Sequence, residues 1–141
     1  MTCGRAVAMA VVLALAACTG STDTGPPPVV LTGSWGYAGT QVVPTAQLVG
    51  TLVVSSQAGH TFSGIFSATQ SGFGIPTAVL NGTVQGTAVS GDALDFNVIV
   101  NGVTRRHFGL IHGDSVVGNW QDQDNTSGLA GSFRMRHLST P

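Results

Sequence analysis

An Asn-Gly pair at positions 101 and 102 separates two runs that alternate apolar and polar residues, Leu94 to Val100 and Val103 to Ile111. Asn-Gly is the dipeptide best suited to a two-residue type I′ turn, in which both central residues take positive φ. Such a turn leaves the flanking strands no choice of register. Val100 is set opposite Val103, Val98 opposite Arg105, and Phe96 opposite His107. A second pair, Gly113-Asp114, suits the type II′ turn, which places glycine first. It sets Ile111 opposite Val116, Gly109 opposite Gly118, and His107 opposite Trp120. Directly opposed residues share a face of the sheet. Leu94, Phe96, Val98, Val100, Arg105, His107, Gly109, Ile111, Val116 and Trp120 therefore fall on one side, and this more apolar side is expected to face inward. Asp95, Asn97, Ile99, Arg106, Phe108, Leu110, Val117, Asn119 and Gln121 fall on the other.

The same alternation, without any helical period, continues from Leu31 to Leu138. Turn residues cut it into eight expected strands, about 32–38, 47–55, 60–69, 78–87, 93–100, 103–112, 115–121 and 128–137. Short, evenly spaced strands are the mark of an all-β sandwich or barrel. The short connections predict an antiparallel up-and-down barrel in which each strand pairs with the next. Glycines at expected inward positions, among them Gly50, Gly64, Gly82 and Gly109, would let a tightly coiled sheet bend around large rings. One conflict arises at Gly91-Asp92. Read as a two-residue turn, it turns Val89 and Thr87 inward, out of phase with Val84 and Gly82, and a bulge near Gly86 is expected to repair this. In the last strand, alternation through 129, 131, 133 and 135 points Arg134 and Arg136 outward.

The start of the chain reads differently. A short segment with one charge, Arg5, leads into the apolar run Ala6–Ala17, which is too short to span a bilayer and fits a secretory signal. Leu15-Ala16-Ala17-Cys18 resembles the bacterial lipobox, in which the chain is cut before the cysteine and the thiol is acylated. The expected signal peptide is 1–17, and the expected anchor is Cys18. Residues 18–30, with Pro26-Pro27-Pro28, form a flexible Pro-rich tether, and 31–141 form the barrel domain. The resemblance implies a membrane-anchored protein of the cell envelope, at the outer membrane, its periplasmic face or the cell surface. After cleavage Cys18 is the only cysteine, so no disulfide is available.

Cleavage leaves four arginines against six aspartates, a net charge of −2. There is no basic patch of the kind that binds nucleic acid. His107 and His112 lie five apart on one strand and point to opposite faces. His60 and His137 sit near strand ends, and no spacing matches a metal site. Most aspartates occupy turns, and no serine stands in a nucleophile-elbow setting. No enzyme, no cofactor and no metal are expected, and the domain is expected to be a monomer.

Gly33-Ser34-Trp35 on the first strand, with Phe133-Arg134-Met135-Arg136 on the last, resembles the calycin superfamily: lipocalins, fatty-acid-binding proteins, avidins and their bacterial relatives. The resemblance implies that Gly33 and Trp35 belong to a structural Gly-X-Trp. It also implies that the indole packs on a late basic residue, Arg134 or Arg136. Leu31 to Trp35 is similar in form to the avidin opening, but the polar residues that would hold biotin do not follow. The sharpest candidate site is the inward group Arg105, His107, Trp120 and Phe96. An inward guanidinium needs a partner, water or an anionic guest. One reading makes Arg105 the anchor for a small apolar or amphipathic ligand held in the barrel. The other is a filled barrel serving as an envelope structural or interaction module, in the manner of the periplasmic barrel inhibitors of proteases. On that reading its function lies in loops or on the outer face, where Phe108, Leu110 and Val117 would form an exposed patch.

Overall fold

The computed structural model describes residues 29–89, 91–124 and 127–138. The expected signal peptide, Cys18 and the tether up to residue 28 lie outside the described residues. Eight strands follow in chain order: β1 (Gly33–Gln41), β2 (Ala46–Ala58), β3 (Thr61–Gly72), β4 (Ile75–Ala88), β5 (Ala93–Val100), β6 (Val103–His112), β7 (Ser115–Asp122) and β8 (Ala130–His137). Each pairs antiparallel with its neighbours, and β8 returns to β1, so the sheet closes into the expected up-and-down barrel. Closure leaves no strand edge unpaired.

The two turns that fix register do so as the residues dictate. Asn101 (φ 51°) and Gly102 (φ 79°) both have positive φ, as a type I′ turn requires. Val100 faces Val103, Val98 faces Arg105, and Phe96 faces His107. Beyond Gly113, His107 faces Trp120 and Ile111 faces Val116. The third turn is different. Val89 N donates to Ala93 O at 2.8 Å and Ala88 pairs with Leu94, so an odd number of residues, five, lies between these register partners. Gly91 (φ 88°) supplies the left-handed position of this longer connection. Ala88, Gly86, Val84 and Gly82 stay in phase with the inward residues of β5, and the register runs unbroken. The bulge expected near Gly86 is absent, because the longer loop already corrects the phase. A bulge does occur in β2, between Val54 and Ser56. It moves Gln57 to the inward row opposite Phe62, and Ser56 and Ala58 to the outward one.

Strands β2, β3 and β4 run to 13, 12 and 14 residues, longer than their sequence pattern suggests. The β3–β4 hairpin carries its pairing out to Gly72 and Ile75 before turning at Phe73-Gly74. Inside, large apolar side chains from every strand form one buried cluster that includes Trp35, Leu52, Phe66, Val84, Phe96, Ile111, Trp120 and Phe133. One end is plugged by Leu31, whose amide donates to Gln57 Oε1 at 2.7 Å and whose carbonyl accepts from Trp35 Nε1 at 2.9 Å. Gln57 Nε2 in turn donates to Val29 O. The bulge in β2 is what brings Gln57 to this position.

Candidate functional site

The inward group read from the sequence does assemble, and it assembles as packing. His107 is 2% exposed at the middle of the barrel. Its ring stacks on Phe96 (centroids 4.7 Å, planes at 15°), meets Phe133 edge-on at 5.0 Å and lies 6.3 Å from Trp120. Nδ1 is 3.1 Å from Arg105 O, a carbonyl that can only accept, so Nδ1 carries the proton. Nε2 is then the acceptor for the Tyr37 hydroxyl at 3.0 Å. Burial, assisted by the charge of Arg105, pushes His107 down to about 4, and burial pushes the Tyr37 phenol well above its usual range. At neutral pH both are uncharged, joined by one hydrogen bond.

The wall beside them is tight at the inward glycines. A Cβ built on Gly86 would stand 2.3 Å from Phe96 Cβ and 2.6 Å from Phe62 Cζ, and one on Gly109 would stand 3.0 Å from Phe133 Cζ. Where the wall does not admit a methyl group, the rings already fill the space.

Arg105 is not the free anchor that its inward position suggested. Its register partner on β7 is Asp122, so the two share the inner face, and Arg105 Nε lies 3.2 Å from Asp122 Oδ1. The guanidinium lies over the Trp120 ring at 5.2 Å, and its side chain is 12% exposed. The Nε–Oδ1 contact is Coulombic, without the alignment of a hydrogen bond. Asp122 Oδ2 accepts from Ser127 Oγ. The sequence pattern ends the seventh strand at Gln121, one residue short of this partner. An aspartate followed by polar residues reads as a turn, and only the pairing across the sheet shows otherwise.

Trp35 is buried as the Gly-X-Trp resemblance implies, but its partner is neither Arg134 nor Arg136. Both arginines point outward, and Arg136 Nε reaches Asp114 Oδ2 at 3.2 Å. Trp35 is registered directly opposite His137 and meets that ring edge-on at 4.9 Å. Alternation along β8 puts His137, and not an arginine, on the indole's face. Gly33 (φ 124°) is needed here, since a Cβ would come within 2.8 Å of His137 Nε2.

A cavity lies on the outer wall. A groove of about 650 Å³ is lined by Ser56, Thr61, Ser63, Gln85, Thr87, Asp95, Asn97, Arg106 and Gln123, together with Ala58, Phe62, Gly86 and Val89. Register explains the set. Ser63, Gln85, Asn97 and Arg106 form one row across β3 to β6, and Thr61, Thr87 and Asp95 form the next. Its floor is β5, whose outward residues Ala93, Asp95, Asn97 and Ile99 are all half-buried. Arg106 Nε donates to Asp95 Oδ1 at 3.0 Å and Nη2 donates to Oδ2, a two-pronged pair that holds the Asp95 carboxyl below its usual range. Asn97 Oδ1 is buried and accepts no hydrogen bond from any described residue. Alternation places these side chains outward but singles none of them out, because a recess in the wall comes from the coiling of the sheet. A smaller cavity of about 260 Å³, lined by Arg106, Phe108, Asn119, Trp120 and Gln121, adjoins it at Arg106. Beyond lie Phe108, Leu110 and Val117, which are 52%, 47% and 44% exposed and form the outer apolar stripe expected from the sequence.

A closed, eight-stranded, antiparallel barrel with a single core defines the class of this protein. Among solved structures it is similar to small designed fluorescence-activating β-barrels. These include the redesigned barrel mFAP1 bound to DFHBI (TM-score 0.65, 14% identity, 76% of this chain and 94% of that one). The EF1p2_mFAP2b barrel bound to DFHBI is similar (0.64, 13%, 77% and 94%). So is a fluorescence-activating β-barrel designed de novo (0.58, 16%, 76% and 93%). At these identities the likeness is one of fold. No family model and no curated protein matches the chain.

Proposed function

We propose that this chain is a lipid-anchored, non-enzymatic protein of the cell envelope that binds a small ligand in the groove on its outer wall. The observation that carries the reading is a recessed groove whose lining brings hydroxyls, amides and one closed ion pair together across β2 to β6. Two further observations support the reading: the lipobox-like segment ending at Cys18, and barrels of the same fold bound to a small molecule, DFHBI. The packed interior argues against the centre of the barrel as the site.

Native mass spectrometry of the purified protein is the test. The protein is expected to carry a non-covalent small molecule that Asn97→Leu loses and Arg105→Ala retains. The reverse pattern, in variants that remain folded, would return the site to the interior. A second reading, an interaction module, is favoured by the exposed stripe Phe108, Leu110 and Val117. It predicts capture of a protein partner that Leu110→Lys abolishes and Asn97→Leu does not.

A further inference from the structure

We infer that the outer groove takes a neutral oligosaccharide, an inference that rests on the proposed placement of the ligand in this groove. The first argument is charge. The groove's cation and anion, Arg106 and Asp95, are locked to each other through two hydrogen bonds, so together they offer no net charge to attract an ion. What remains on the walls is neutral and of both polarities: hydroxyls from Ser63 and Thr87, and amides from Gln85 and Asn97. A hydroxyl donates one hydrogen bond and accepts others, and a carboxamide carries donors and an acceptor on one planar group. The ligand group that answers such a mixed row at every position is itself a hydroxyl. It can donate to a hydroxyl or to the Gln85 carboxamide oxygen and still accept from a neighbouring amide or from the guanidinium N–H groups that Asp95 does not occupy.

The second argument is shape. The lining rows run across the strands, from β2 to β6. With strands about 4.8 Å apart, that is a span of about 19 Å, a length suited to a chain of sugar rings and not to one. Phe108 stands directly opposite Asp95 in the register, half exposed, and lines the smaller cavity that meets the groove at Arg106. A pyranose has a hydroxyl edge and a C–H face, and the groove offers hydroxyls and amides interspersed with the apolar Ala58, Phe62 and Val89. An extended peptide fits less well. Strand addition needs an unpaired sheet edge, and the closed barrel has none.

The test uses the purified protein labelled with nitrogen-15. It is titrated with neutral oligomers of glucose and N-acetylglucosamine in several linkages, and with sulfated and uronate-containing oligomers as the charged set. At least one neutral oligomer is expected to shift the side-chain amide signals of Gln85 and Asn97. Asn97→Ala and Phe108→Ala should each weaken that binding about tenfold or more, while Val117→Ser leaves it unchanged. Binding confined to the charged set would overturn the inference, as would neutral binding that Asn97→Ala does not weaken. If the co-purified molecule shifts these amides and no oligosaccharide does, the ligand class is wrong and the groove stands. If neither shifts them, both fail.

Discussion

His107 sits where a charge would be most expensive, and the fold answers by keeping it neutral. Its proton affinity is held down to about 4 in the folded chain, against an ordinary 6.5. The unfolded chain therefore takes up the proton first as pH falls. The stability that His107 contributes is complete above pH 6.5 and drains away as pH falls towards 4, a loss of about 3 kcal/mol. Urea denaturation at steps between pH 7 and 4 should show this fall, and His107→Phe should flatten that part of the profile. Equal slopes in the two proteins would mean that the ring takes up its proton at the same pH in the folded as in the unfolded chain. The inward placement of Phe96, His107 and Trp120 was legible from two dipeptides. Their role was not, since a filled centre and a binding site call for the same residues on the same face. What separates them is the space around Gly86 and Gly109, which depends on rings arriving from β3 and β8.

At the scale of the strand, the turns explain both what was readable and what was missed. Asn101-Gly102 and Gly113-Asp114 close by two residues and transmit their register through β5, β6 and β7. Gly91-Asp92 looks alike in sequence and belongs to a longer loop. Local turn chemistry does not distinguish the two, and the decision falls to the core, which needs Val84 and Ala88 inside. The bulge in β2 is hidden for a similar reason, because Ser55-Ser56-Gln57 is polar whichever residue is skipped. Gly86 tests how tightly β4 lies on the core. Gly86→Ala should lower the unfolding free energy by about 1–3 kcal/mol, the usual cost of overpacking, measured by chemical denaturation. A neutral result would mean that Phe62 and Phe96 have slack that their contacts do not show.

For the whole molecule, the barrel closes through a seam that joins the two ends of the chain. Trp35 to Gly39 of β1 pair with Phe133 to His137 of β8, and Leu138 N continues the contact to Ser34 O at 2.8 Å. Contacts this distant in sequence are slow to form in all-β chains. The N-terminal segment leaves from the end plugged by Leu31 and Trp35, with Val29 tied to Gln57 there. Expressed in a bacterium that processes lipoproteins, the protein should partition into the detergent phase on Triton X-114 separation. Cys18→Ala should move it to the aqueous phase, and an unchanged partition would rule out the lipid. Overall closure and strand order could be read from alternation and turns alone. The groove could not, because it is a property of how the whole sheet curls.

The close fit around the inward glycines has a consequence for how proteins of this kind can change. Enlarging the interior to hold a guest would require several coordinated substitutions, since each ring rests on another and every inward glycine is already in contact. On the wall, Ser63, Gln85 and Thr87 are exposed, and each can be replaced without displacing a core ring. A lineage descended from this barrel would diversify from the outside, exchanging ligands by single steps while its centre stayed fixed.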